Sequence, residues 1–211
     1  KQLEELIRSL GKVLVAFSGG VDSAFLLKAA VDTVGAANVM ACIEVGSTLP
    51  KSQHQQALGI AEELGVTCLE IGCTSMDDES FVANKPDRCY HCKKHLFQNM
   101  WEIAEARGYQ NIICGTNLDD MDDYRPGNKA AREMGVHAPL MEAGLTKDDI
   151  RVLSRRMGLE TADMPASPCL ASRVPYGMPI SDRKLAQVDK AEDFLHSLGF
   201  SVVRVRHWED T

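Results

Sequence analysis

Several absences narrow the field before any motif is read. No stretch approaches 18 uninterrupted apolar residues, so no membrane-spanning helix is expected. The first residues are charged and amphipathic, with no secretory signal. They begin at Lys1 rather than a methionine, which suggests a trimmed or partial product. Neither GxxxxGK[ST] nor GxGxxG occurs, which removes the Walker A loop and the dinucleotide fingerprint. Positive charge is also lacking. The net charge is −7, and residues 1–150 carry 14 basic against 22 acidic side chains. Such a balance suits a long polyanion poorly, so nucleic acid is not an expected partner. A small anionic ligand in a local basic pocket is compatible with it. The seven cysteines are an odd number in a chain that reads as cytoplasmic, which disfavours a disulfide framework and favours metal or redox chemistry.

What is present is organised around Ser18-Gly19-Gly20-Val21-Asp22-Ser23. An apolar run, 13–17, precedes it and another, 24–27, follows. They read as a buried strand and the opening of a helix. Two glycines let the backbone turn sharply and approach a ligand. Free N–H groups and the helix dipole make such a junction an anion site. The hexapeptide resembles the pyrophosphate loop of the N-type ATP pyrophosphatases. That resemblance implies that it holds the β- and γ-phosphates of ATP.

Along the chain, helical spacing of Leu3, Leu6, Ile7 and Leu10 predicts a helix ended by Gly11. Strands are expected at 13–17, 39–45, 66–71 and 111–114, with helices at about 22–34, 51–64 and 91–106 between them. This alternation predicts an α/β fold with a Rossmann-like parallel sheet. The stretch 72–90 reads as a loop, and 115–128 as an acidic one. Thr146 to Asp149 is a capping-box pattern opening a helix to about 157. Four of the eight prolines fall between Pro165 and Pro179. The expected organisation is therefore an ATP pyrophosphatase domain at 1–160, a Pro-rich active-site loop or linker at 161–180, and the start of a second, smaller α/β domain at 181–211. That last piece is expected as a helix from Ser181 to Leu198 and a strand from Ser201 to His207. One helix and one strand cannot form an independent core, so the second domain reads as truncated.

Cys89 and Cys92 form a CxxC, and Cys169 lies in Ser-Pro-Cys-Leu-Ala-Ser-Arg. Both stretches read as loops or helix starts. Cys42, Cys68 and Cys114 read as buried small hydrophobes in strands, and Cys73 has no assigned role. The trio admits three readings. One is a zinc site completed by His91 or His95, another a redox CxxC. The third is a [4Fe–4S] cluster on three thiolates with one open iron. Spacing alone does not choose among them.

Four segments together resemble the LarE family of ATP-dependent sulfur transferases. They are Ser18 to Ser23, Asp123-Tyr124-Arg125-Pro126-Gly127, the Ser-Arg-x-Pro-Tyr-Gly run at 172–177, and Val203-Arg204-Val205-Arg206. The resemblance implies adenylation of a carboxylate of pyridinium-3,5-biscarboxylic acid mononucleotide and replacement of its oxygen by sulfur, in synthesis of the nickel-pincer nucleotide. Three cysteines imply the branch in which Cys89, Cys92 and Cys169 hold a [4Fe–4S] cluster. It also implies a homo-oligomer, and the sulfide donor is not named by the sequence.

The implied roles follow. Ser18, Gly19, Gly20 and Ser23 would hold pyrophosphate oxygens, and Asp22 would place Mg²⁺. Asp119 and Arg125 are candidates for the same site, although the run Asp119, Asp120, Asp122 and Asp123 also reads as a solvated acidic loop. Ser172, Arg173, Arg204 and Arg206 would hold the small-molecule nucleotide, since guanidinium pairs suit phosphate and carboxylate. Glu192 matches a glutamate near the reaction centre, or is a solvated helix position. A [4Fe–4S] tRNA thiolase, an ammonia-using synthetase and a nucleotide- or metal-binding regulatory module are the alternatives.

Overall fold

The alternation inside each strand decides the architecture. In β1 (Val13–Ala16) Val13 and Val15 point to one face and Leu14 to the other. In β2 (Val39–Val45) Val39, Ala41 and Ile43 join the first set, and Met40 and Cys42 the second. Both faces of these strands are apolar, so both must be covered, and parallel strands with crossover helices do this. The computed structural model describes residues 1–121 and 125–208. Asp122, Asp123 and Tyr124 lie outside the described residues.

β3 (Cys68–Gly72) and β4 (Asn111–Cys114) complete a four-stranded sheet of order β3-β2-β1-β4. All three pairings are parallel, with Val13 opposite both Val39 and Asn111. The expected Rossmann-like α/β sheet is what forms. Helices α1 (Gln2–Leu10), α2 (Val21–Val34) and α3 (Lys51–Glu63) bury Ile7, Leu26 and Ala57 in the core on one face. The loop expected at 72–90 is instead partly helical, with a short α4 (Glu79–Val82). Asp78 caps α4 by accepting from Ser80 N–H at 2.8 Å. Only one turn long, that helix shows no apolar period in sequence.

α5 (Arg88–Arg107) covers the second face through Leu96, Phe97 and Met100. Next come α6 (Pro126–Glu133), α7 (Pro139–Glu142) and α8 (Lys147–Arg156). α6 was not expected; Pro126 at its first turn starts it in place of a capping side chain. The Thr146–Asp149 capping box forms. α9 (Asp182–Ser197) closes a third apolar cluster made of Phe81, Leu170, Val174, Ile180, Leu185 and Val188. This cluster ties the Cys169 loop to α4 and to the start of α5.

The strand expected at 201–207 does not form. Its alternation survives, with 203, 205 and 207 partly covered and 204 and 206 exposed. Among the described residues it has no neighbouring strand to bond, so the segment stays extended without a ladder. No helix among the described residues is long and apolar enough to cross a membrane.

Candidate functional site

In the order β3-β2-β1-β4 the chain first builds outward from β1 on one side and then returns to the other. The reversal lies between β1 and β4, and the crevice at their carboxyl ends is where open α/β sheets bind ligands. A cavity of about 660 Å³ opens there. Ser18, Gly20, Asp22, Ser23, Asp119, Arg125 and Cys89 all line it.

The loop after β1 is shaped from within and pinned from outside. Gly19 has φ +71°, and an added Cβ would stand 2.8 Å from Ala57 Cβ. Glycine is therefore required both for the turn and for the close approach of α3. Ser18 N–H donates to Ser23 Oγ at 3.2 Å, and Ser23 Oγ donates to the Gly20 carbonyl at 3.1 Å. From α3, Gln53 Nε2 donates to the Ser18 carbonyl at 2.8 Å and Gln56 Nε2 to the Gly19 carbonyl at 3.3 Å. With the loop carbonyls held back, α2 presents its first-turn N–H groups to the cavity, and no side chain caps them.

Charge gathers at this mouth. Lys147 Nζ donates to Asp22 Oδ2 at 2.6 Å. Lys147 N–H donates to Asp119 Oδ2 at 2.8 Å. The other Asp22 oxygen, Oδ1, is buried without a hydrogen-bond partner among the described residues. An orphaned carboxylate oxygen beside an anion cradle fits a hard cation. Lys147 was not singled out from sequence. A signal existed, because a lysine in the first turn of a helix opposes the helix dipole and needs another reason to be there. Gly115, after β4, was also missed. An added Cβ there would lie 3.0 Å from Ser23 N, so this glycine admits the start of α2 against the sheet.

Of Cys89, Cys92 and Cys169, the first lines the cavity and the other two lie outside its lining. Cys89 and Cys92 sit in the first turns of α5, one bounding the cavity and one turned toward the third cluster. Cys92 Sγ donates to Glu44 Oε2 at 3.6 Å, and burial, then the Glu44 charge, pushes the Cys92 thiol up. Cys169 caps the turn Leu170–Arg173 and is exposed, and Leu170 N–H donates to the Thr48 carbonyl at 2.9 Å. Its thiol is raised by the crowding of surrounding protein and then by Cys89, with Arg88 opposing. Cys169 thus stands within electrostatic reach of Cys89 and of Cys92. No group of three His, Cys, Asp or Glu side chains among the described residues is arranged to hold a metal ion. Of the strand cysteines, Cys42 and Cys114 are buried and Cys68 half-buried.

The remaining candidates fall elsewhere. Arg173 and Glu192 are both buried and form a two-pronged pair, Nε to Oε1 at 2.8 Å and Nη2 to Oε2 at 2.9 Å. Glu192 Oε1 also accepts from Val205 N–H at 2.9 Å. Arg173 Nη1 donates to the carbonyls of Pro168 and Cys169 and to Ser172 Oγ. Arg204 Nη2 reaches the Ala166 carbonyl at 3.3 Å, and Arg206 and Ser172 are exposed. The structure thus gathers the loop, Asp119, Arg125 and Cys89 in one cavity, while Ser172, Arg173, Glu192, Arg204 and Arg206 lie outside its lining.

The sequence profile of the NAD synthase family matches residues 3–100. An uncharacterised protein of Synechocystis sp. is 39% identical over 98% of this chain and 76% of its own length. An uncharacterised protein of Methanocaldococcus jannaschii is 26% identical over 94% and 75%. Pyridinium-3,5-bisthiocarboxylic acid mononucleotide synthase of Lactiplantibacillus plantarum is 37% identical over 97% of this chain and 74% of its own. At that identity and coverage, the chain belongs to the LarE family, that of pyridinium-3,5-bisthiocarboxylic acid mononucleotide synthase.

Proposed function

We propose that this protein is an ATP-dependent sulfur transferase. It adenylates a carboxylate of pyridinium-3,5-biscarboxylic acid mononucleotide and exchanges that carboxylate's oxygen for sulfur. The observation that carries this reading is the likeness to the L. plantarum synthase, over 97% of this chain and 74% of that protein. It is supported by a single cavity bounded by the phosphate loop on one wall and Cys89 on the other.

The loop N–H groups, Ser18 and Ser23 hold the β- and γ-phosphates of ATP. Asp22, whose Oδ1 is unpartnered among the described residues, would hold Mg²⁺, which would supply positive charge to the phosphates. Lys147 then leaves Asp22 for the phosphates. The substrate carboxylate attacks the α-phosphorus, the bond to the β-phosphate oxygen breaks, and pyrophosphate leaves. The carboxylate oxygen now departs with AMP when sulfur attacks its carbon. Fixed donors aimed at the charge that develops on the phosphates supply most of the acceleration. Ser172, Arg204 and Arg206 hold the substrate's phosphate. Arg173 acts through the Pro168 and Cys169 carbonyls that it holds, and Glu192 acts through Arg173.

Cys89, Cys92 and Cys169 would hold a [4Fe–4S] cluster; all three are soft sulfur donors, the ligand type that iron–sulfur clusters take. When bound, the cluster would supply the sulfur. Anaerobic incubation with ATP, Mg²⁺, sulfide and the dicarboxylate nucleotide tests the function. Pyrophosphate, AMP and a product heavier by the exchange of one oxygen for one sulfur are expected. ATP cleavage that does not depend on the nucleotide would overturn it. Iron and acid-labile sulfide after reconstitution, compared with Cys89→Ala, Cys92→Ala and Cys169→Ala, test the cluster separately. About four of each per chain, lost in all three variants, is the expected result.

A further inference from the structure

Tyr176 belongs to the Ser-Arg-x-Pro-Tyr-Gly run and has no part in the chemistry proposed for the loop and the cysteines. It is 60% exposed and lines the 660 Å³ cavity together with Pro86 and Cys89. One face of its ring is already occupied, by the Arg88 guanidinium 4.6 Å from the ring centroid. Arg88 is itself only 5% exposed and donates to Asn84 Oδ1.

Asn84 is the anchor of this arrangement. It is fully buried, with φ +52° in the left-handed region that asparagine tolerates better than most residues. Its Nδ2 donates to the carbonyls of Val174 at 3.3 Å, Pro175 at 2.8 Å and Met178 at 2.9 Å. Its own carbonyl accepts from Gly177 N–H at 3.1 Å. The turn carrying Tyr176 is therefore gripped on both sides of that residue, and Arg88 sets the ring plane. A side chain held in this way loses little further freedom when a ligand binds.

We propose that Tyr176 is a preformed stacking platform for the planar heteroaromatic ring of a nucleotide bound in the cavity. This deepens the adenylation reading and rests on it. Aromatic side chains stack on such rings with little regard to ring identity. Two nucleotides could supply the ring: ATP through adenine, and the dicarboxylate nucleotide through its pyridinium.

The test replaces Tyr176→Trp and follows fluorescence while ATP, and separately the dicarboxylate nucleotide, is titrated in, with the wild type giving the background of Trp101 and Trp208. Quenching by one nucleotide or both, above that background, is expected and names the source. For that nucleotide, Tyr176→Ala should weaken Kd about tenfold, within the range of base–aromatic stacking, and Tyr176→Phe should change it less than about twofold. No quenching, or Kd values in Tyr176→Ala within about twofold of wild type for both nucleotides, overturns the proposal. So does an equal loss in Tyr176→Phe, which would assign the effect to the hydroxyl group. Tyr176 is exposed, so its replacement leaves the core untouched, and circular dichroism of each variant checks the fold. None of these readouts needs turnover, so failure of the wild type to release pyrophosphate counts against adenylation alone.

Discussion

The phosphate-loop side and the Arg173–Glu192 side of the molecule both carry charged residues that a sequence reading assigns to ligands, but their surroundings differ. On the loop side the groups are left incomplete: among the described residues Asp22 Oδ1 has no partner, and the start of α2 has no side-chain cap. On the other side Arg173 and Glu192 satisfy each other, and their remaining bonds run to the backbone of the Cys169 loop and Val205. Unfilled bonding capacity in a cavity marks a place for a ligand, whereas complete burial and pairing marks a joint in the fold. Residue type does not separate the two.

The largest effects should split along this line. Glu192→Gln leaves the Arg173 guanidinium buried without its counter-charge, and breaking a buried pair from one side costs about 3–5 kcal/mol. Denaturant unfolding should show that loss. Asp22→Asn should do the opposite. Its pair with Lys147 is partly exposed, so stability should change little, since such pairs contribute about 0–1 kcal/mol. Pyrophosphate release should fall by about 10²–10³-fold, the size expected when a charge-stabilising group is removed. If Glu192→Gln keeps full stability and loses activity, the comparison is reversed and Glu192 belongs to the chemistry.

An intermediate effect separates two glycines. Gly115→Ala pushes a Cβ to 3.0 Å from Ser23 N, a backbone atom with nowhere to go. Overpacking of this kind costs about 1–3 kcal/mol, and the shift of α2 should weaken ATP binding as well. Gly59 lies inside α3 with nothing within 4 Å of an added Cβ. There alanine should stabilise by about 0.5–1 kcal/mol through helix propensity and leave ATP binding unchanged. Equilibrium unfolding and ATP titration of the two variants decide whether the loop side is as tightly built as its geometry implies.

How much of this was legible follows from which signals are local. The four strands could be read because they are short, mostly apolar runs separated by helical stretches. The phosphate loop could be read because its glycines and hydroxyls are contiguous. Lys147 and Gly115 lie far from the loop in sequence, 125 residues away in the case of Lys147 and Asp22; only the sheet order brings them to it. α4 was missed because a single turn has no period, and α6 because Pro126, rather than a polar cap, starts it. The segment 201–207 carries a strand's alternation in its exposure. A ladder also needs a neighbour, and that is a property of the assembled fold. Arg173 and Glu192 looked like ligand residues because their mutual pairing is invisible in sequence.

The smallest effect lies on the loop side, where the capping box presents Lys147. Asp149 Oδ2 accepts from Thr146 N–H at 3.1 Å and from Thr146 Oγ1 at 2.6 Å. These bonds hold its carboxyl below the ordinary value of 3.8. A carboxyl lowered in the folded state adds stability above its unfolded value and loses it as pH falls through the folded one. The difference in melting temperature between wild type and Asp149→Ala should therefore be constant from neutral pH down to about 4 and shrink below it. Lys147 depends on this cap for its place beside Asp22, so Asp149→Ala should also raise the apparent Kd for ATP, by less than Asp22→Asn does. A stability loss independent of pH would mean that the charge on Asp149 adds nothing to the cap. An unchanged Kd would mean that Asp22 and Asp119 suffice to hold Lys147, and that the loop side tolerates a frayed helix start.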